Sequence, residues 1–340
     1  MIRERERLAA LIRSVHAAIR DTVLSACAEQ SPEELAEVVG SAGGDTIFRI
    51  DHISEASLLK GFATIAAEWP CLIVAEGLGQ TGRITLPPGL PIDQTEIVIM
   101  VDPIDGTRGL MVQKRPAWIL TGVAPNRGHA TNLSDIEIAV QTEIPLQKQH
   151  LCDSLWAFCG AGVRGERLHR FTGQVQSLVI QPSRAKSIAQ GFGGISRFFP
   201  GARGLLAEID DALAFRLLPV HEPNRALTFE DQYISTGGQL YELMVGHDRW
   251  QADLRALVKP LLVSRNLPVF CCHPYDLCTE LIAREVGVLV TTPEGTPLSY
   301  PLEVEYDCSW VGFANRTIAD QVFPELQRLL REYIPGRMKR

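Results

Sequence analysis

The run Glu96-Ile97-Val98-Ile99-Met100-Val101 leads straight into Asp102-Pro103-Ile104-Asp105-Gly106-Thr107, and this junction constrains the fold more than any other stretch of the chain. The run is short, β-branched and apolar, so it reads as a buried strand. Pro103 removes a backbone donor and fixes φ, and is expected to end that strand. Gly106 permits a backbone conformation, or a close approach, that a side chain would block. The expected product is a turn with Asp102 and Asp105 side by side and Thr107 next to them. Such a cluster suits a hard, oxygen-seeking cation, and a phosphate bound to that cation would lie near the Thr107 hydroxyl. Asp-Pro and Asp-Gly are also ordinary turn dipeptides. The remaining acidic positions decide between a turn and a site.

Around this junction the chain alternates helix and strand patterns. Leu8, Ile12, Val15, Ile19 and Val23 recur at helical spacing and predict an amphipathic helix over about 5–28. A second helix is expected over roughly 52–68, after Asp51 and carrying Glu55, Leu58, Leu59 and Phe62. Cys71–Ala75 reads as a buried strand that stops at Glu76, followed by a Gly/Pro-rich loop from Gly77 to Pro91. Further strands are expected over Trp118–Ala124 and Ile136–Ile144. The polar, glycine-containing stretch Gly173–Ser177 is the expected boundary between a first domain, 1–177, and a second, 178–340. Beyond it, Ser183–Gln190 and Ala202–Phe215 read as helices. Ser235-Thr236-Gly237-Gly238 opens another through Met244, and Asp276–Glu285 is a fourth. Pro268–Cys272, Val286–Thr292 and Ser309–Ala314 read as strands. Alternation in both halves predicts a layered α/β architecture.

A formal charge of −7 and the lack of a long Lys/Arg stripe argue against a nucleic-acid-binding surface. A negative chain that handles anionic phosphates needs local cations, and metal ions are the obvious source. The mixed charges of Met1–Arg7 do not open a signal peptide, and no apolar stretch approaches the roughly 18 residues of a membrane span. A cytoplasmic protein with no membrane partner is therefore expected. Cys271-Cys272-His273 with Cys278 matches no standard zinc spacing, and free buried thiols in a reducing cytosol are the expected state.

Glu76 and Asp102 each end a strand run, so both carboxylates can reach the same edge of one sheet. Asp276 follows the bend at Pro274, just before Leu277, Leu281 and Ile282, where an N-cap would be its ordinary role; Asp51 could likewise cap its helix. Together these positions resemble the inositol monophosphatase family, within the wider lithium-sensitive, magnesium-dependent sugar-phosphatase superfamily. Asp51 with Glu55 is similar to its first acidic motif and Glu76 to its strand-end glutamate. Asp102 to Thr107 matches its core motif in full. Tyr275-Asp276, Leu281 to Gly287 and Pro293-Glu294-Gly295-Thr296-Pro297-Leu298 resemble its C-terminal signature.

The resemblance implies a layered αβαβα sandwich, with an N-terminal α+β domain and a C-terminal α/β domain meeting at a metal cleft. It implies two or three Mg²⁺ ions that activate water against a phosphomonoester. Glu76, Asp102 and the Ile104 carbonyl would hold the first ion; Asp102, Asp105 and Asp276 the second. Glu76 would also reach a third, and counts with Thr107 and Asp51 among the catalytic residues. Thr107, bonded to Asp51, would orient and help deprotonate the water. The backbone N–H groups of Gly106 and Thr107 would cradle phosphate oxygens. Substrate contacts would come from Arg108, as a cation near a second phosphate or carboxylate, and from the small-residue loop Thr236-Gly237-Gly238. The same glycines also serve a tight turn and a helix start. A homodimer and lithium inhibition are implied as well.

The chain departs from the family at several points. Ala75-Glu76-Gly77 replaces Gly-Glu-Glu, Phe48 stands where Thr is common, and Ser41-Ala42-Gly43-Gly44-Asp45 has no lysine. Tyr275 replaces Trp, and Arg108-Gly109-Leu110 follows Thr107. The segment from about 183 to 234 matches poorly, and extra loops there would reshape the substrate mouth or a subunit contact. The expected activity is hydrolysis of inositol monophosphate or a related sugar or polyol phosphate. A phosphatase for 3′-phosphoadenosine 5′-phosphate or another bisphosphate is the alternative, with fructose-1,6-bisphosphate third. From another class, a catalytically weak phosphate-ligand-binding or regulatory protein would keep the fold but shed metal ligands first.

Overall fold

Apolar strands from the first half of the chain assemble into an eight-stranded sheet. Its order from one edge is Val175–Ser177, Val163–His169, Leu151–Phe158, Ile138–Ile144, Ala117–Pro125, Ile97–Asp105, Cys71–Ala75 and Arg83–Leu86. The computed structural model describes residues 1–42, 45–79, 81–218, 225–267 and 270–335. All neighbours in this sheet are antiparallel except Cys71–Ala75 and Ile97–Asp105, which run parallel with Ala75 opposite Val101. A second sheet of four strands has the order Phe192–Ile195, Asp248–Asp253, Trp310–Phe313, Leu289–Thr291. A hairpin, Val38–Ala42 with Asp45–Phe48, stands apart.

Period-2 alternation in the strands gives the large sheet two apolar faces. Ile97, Ile99 and Val101 face the helices Arg5–Glu29 and Arg49–Ala66, whose buried residues include Leu8, Ile12, Ile19, Leu58 and Phe62. Val98, Met100, Trp118 and Leu120 face the helices Thr236–Met244 and Glu280–Val286. The far side of the small sheet packs on Arg203–Leu217, Arg255–Val263 and Arg316–Tyr333. The layers are therefore helix, sheet, helix, sheet, helix: the αβαβα sandwich.

Several sequence expectations need correction. Pro103 does not end its strand, which continues to Asp105 across a bulge between Asp102 and Asp105. A bulge leaves a residue unpaired, so the missing N–H of proline costs no ladder bond there. The loop after Gly77 contains the strand Arg83–Leu86. Ser183–Gln190 is irregular, because the Asn315 amide takes the carbonyls of Ser183 and Ala185 that a helix would use. Asp276 lies in a 3₁₀ turn, Pro274–Leu277, and the α-helix begins only at Glu280. Pro268 and Val269, in the expected strand Pro268–Cys272, lie outside the described residues, as do Gly43 and Gly44; Cys272 makes an isolated bridge to Cys308. No helix among the described residues is long and apolar enough to cross a membrane.

Candidate active site

The parallel pairing of Cys71–Ala75 with Ile97–Asp105 decides where the acids lie. Ala75 sits opposite Val101, so the next residues, Glu76 and Asp102, lie at the same end of the sheet, Asp102 still paired with Leu120. The bulge then turns Asp105 back into pairing with Trp118. Gly106 follows with φ of 102°, a left-handed conformation that favours glycine, and starts the short helix Thr107–Met111.

From the other half of the chain, Pro274 opens the 3₁₀ turn that presents Asp276. Oxygens of Asp102, Asp105 and Asp276 all lie within 4.8 Å of one another. Each carboxylate is held by a backbone or hydroxyl donor. Asp102 accepts from the Ile104 N–H at 3.0 Å, and Asp276 from the His273 N–H at 2.6 Å. Asp105 accepts from the Ser235 hydroxyl at 2.8 Å and the Gly237 N–H at 2.6 Å. Glu76 stands at the margin, outside the 4.8 Å group, yet near enough for its charge to act on Asp102.

Burial is the largest effect on all three aspartates and pushes each carboxyl above its ordinary range. For Asp102 the neighbouring charges of Asp105, Asp276 and Glu76 add to this, while the Ile104 N–H opposes it. For Asp105 the charge of Asp276 adds, and the Ser235, Gly237 and Thr236 donors oppose. For Asp276 the opposition comes from His273 and Arg255. Among the described residues no lysine or arginine forms an ion pair with these three aspartates; Arg255 is chelated by Asp253 at 2.9 and 2.5 Å. Crowded carboxylates, buried or half-buried and with no ion-pair partner of their own among the described residues, fit a bound cation. The donors are all oxygen, the set that Mg²⁺ and Ca²⁺ prefer over softer metals.

Thr107 and Asp51 meet as the motif resemblance implied. The Thr107 hydroxyl lies 3.1 Å from Asp51 Oδ1 and 2.7 Å from the Ile104 carbonyl. Asp51 also accepts the Phe48 N–H at 2.8 Å, tying down the start of the helix Arg49–Ala66. Its motif partner Glu55 pairs with His52. Asp51, Glu76, Gly106, Thr107 and Arg108 all line the cleft that contains the three aspartates.

The small-residue loop is placed differently from the expectation. Thr236 lines the cleft, but Gly237 and Gly238 are buried beneath it. A Cβ on Gly237 would stand 2.6 Å from Leu120 and 2.9 Å from Asp105, and one on Gly238 would stand 2.4 Å from Tyr233. These glycines bring the helix against the sheet and the acid rather than against a ligand. Ser235, which caps that helix and bonds Asp105, was legible as a helix start but not as a holder of the acid. Phe198, Phe199, Phe270 and Arg255 also line the cleft, and nothing in their local sequence marks them. Of the eight cysteines, seven are buried, all are unpaired, and none joins a metal-like cluster among the described residues.

No family model and no curated protein matches the chain. Solved structures do. Fructose-1,6-bisphosphatase of Leishmania major aligns with a TM-score of 0.69 at 13% identity, over 97% of this chain and 95% of that one. A gene product titled inositol monophosphatase–fructose 1,6-bisphosphatase aligns with a TM-score of 0.63 at 16% identity, over 93% and 98%. Inositol monophosphatase of Anabaena (Nostoc) gives 0.59 at 13% identity, over 96% and 97%. The chain thus adopts, over nearly its full length, the fold that these phosphatases share.

Proposed function

We propose that the protein is a Mg²⁺-dependent phosphomonoesterase acting on inositol monophosphate or a related sugar or polyol phosphate. One observation carries this reading: the buried Asp102 and Asp105 and the half-buried Asp276, from the other half of the chain, converge within 4.8 Å, beside a threonine bonded to a fourth aspartate. The fold it shares with structures named as inositol monophosphatases and a fructose-1,6-bisphosphatase supports it. A weak binding protein would have little reason to keep so costly a cluster.

In this reading Glu76, Asp102 and the Ile104 carbonyl would hold one ion, Asp102, Asp105 and Asp276 another, and Glu76 would border a third. Bound Mg²⁺ would supply Lewis acidity, a more acidic water and positive charge for the leaving oxygen. Thr107, bonded to Asp51, would orient the water and help take its proton. The N–H groups of Gly106 and Thr107 would face phosphate oxygens. Residues 1–177 form the metal-binding domain, and 178–340 bring Asp276 and the substrate wall. A homodimer and inhibition by lithium belong to the same reading.

The test is phosphate release from inositol, sugar and nucleotide phosphates. Release is expected with Mg²⁺, none after chelation, and background only from Asp102→Asn. No release from any phosphomonoester with Mg²⁺ present returns the protein to the binding or regulatory class.

A further inference from the structure

The wall of the cleft carries a feature that hydrolysis of a bare polyol phosphate does not call for. Phe198 and Phe199, from the segment that departs most from the family pattern, meet Phe270 there, and all three rings are half-buried. Phe198 and Phe199 pack edge to face at 5.1 Å, and Phe199 and Phe270 lie 5.0 Å apart. Arg255, already bound by Asp253 and the Phe270 carbonyl, backs the array, its guanidinium 4.6 Å from Phe198 and 5.4 Å from Phe199. On the cleft side the Arg108 guanidinium lies 5.3 Å from Phe199, 5.8 Å from Phe270 and 5.6 Å from Phe48. Rings and guanidinium planes thus alternate along one wall, directly after the Thr107 that flanks the acids.

Hydroxyls laid against the ring faces lose water and find no partner on them, the donors of this wall being guanidinium N–H groups. The face of a flat π-system strands no hydrogen-bonding group there and gains ring and guanidinium contact. We propose that the substrate is a sugar phosphate whose sugar carries a planar heteroaromatic ring, a nucleoside phosphate, with the ring stacked on the Phe199–Phe270–Arg108 wall. This rests on the reading of the acid cluster as the phosphoryl site, and it narrows that reading to one substrate class.

The test compares AMP with ribose 5-phosphate, the same ester without the base. Both are titrated calorimetrically into Mg²⁺-loaded Thr107→Ala protein, while phosphate release is followed with the native chain. AMP is expected to bind roughly 10-fold or more tightly than ribose 5-phosphate, within the range of base–aromatic stacking. The pair Phe199→Leu with Phe270→Leu, or Phe199→Leu alone if the pair does not fold, should bring that ratio close to one. Equal affinities, binding of neither ligand, or a ratio untouched by the leucines overturns the proposal. So does tighter binding of a sugar bisphosphate than of AMP, which assigns Arg108 to a second oxyanion. Base-dependent binding without phosphate release keeps the stacking wall and removes the hydrolase reading. Phosphate release with equal affinities does the reverse.

Discussion

Thr107 carries one hydroxyl proton and has two acceptors within reach, Asp51 Oδ1 at 3.1 Å and the Ile104 carbonyl at 2.7 Å. It donates to one at a time. In the proposed function a cation at the Ile104 carbonyl would leave Asp51 as the acceptor, which is the arrangement a proton relay needs. Thr107→Ala should therefore keep Mg²⁺ affinity within a few-fold while kcat falls roughly 100-fold or more, the usual scale for losing a proton-transfer group. Thr107→Ser should recover most of it. Calorimetric metal titration beside phosphate release checks both, and undiminished kcat in the alanine variant discards the role. Asp51 is a poorer probe, since its capping bond to Phe48 makes any loss partly structural. At this scale the sequence was informative where motifs carry residue types at known spacing. It was silent on Arg255 and on Ser235 as the holder of Asp105, roles that depend on chain crossings that no local pattern encodes.

At the scale of elements, the site depends on how closely the helix Thr236–Met244 approaches the large sheet. Gly237 is the contact point, its N–H bonding Asp105 and its Cα facing Leu120. In an exposed helix, Gly→Ala would stabilise by up to about 1 kcal/mol. Here the sign should reverse. The added methyl would meet Leu120 at 2.6 Å and Asp105 at 2.9 Å, so Gly237→Ala is expected to cost about 1–3 kcal/mol as overpacking. It should also weaken Mg²⁺ binding by loosening Asp105. Thermal denaturation and metal titration read both effects, and a raised melting temperature would refute the close approach. The elements read most reliably from sequence were those whose burial their own residues spell out. Cys71–Ala75, apolar and buried throughout, and the long first helix, buried along one stripe, are examples. Ser183–Gln190 failed because tertiary bonds from Asn315 claim its carbonyls. The last helix, Arg316–Tyr333, holds an apolar stripe of Ile318, Val322, Leu326 and Leu330, but Pro324 within it masks the pattern.

The whole molecule joins its outermost helix layer to the large sheet through more than apolar contact. His16, on the first helix, reaches between Thr121 at 2.8 Å and Thr142 at 3.0 Å, side chains of two adjacent strands. It is fully buried, and burial, with a smaller push from the Arg20 charge, lowers its pKa to about 3. The neutral ring donates from one nitrogen and accepts at the other, so both threonines can be satisfied; the charged ring loses water and gains no counter-ion. A histidine whose folded pKa lies below its unfolded value of about 6.5 contributes stability that is present above that pH. That contribution is lost as the pH falls from there towards 3, at up to about 1.4 kcal/mol per pH unit. The aspartate cluster acts with the opposite sign. Its raised carboxyls favour the folded metal-free chain at acid pH, an advantage lost as the pH rises through their folded values. In the proposed function saturating Mg²⁺ would separate the two, offsetting the acid repulsion while leaving the helix layer untouched. Urea unfolding of the Mg²⁺-loaded protein and of His16→Gln is therefore expected to give curves that converge between pH 6.5 and 5 as the native chain weakens more steeply. Parallel curves over that window would mean that His16 does not govern how the outer layer holds to the sheet.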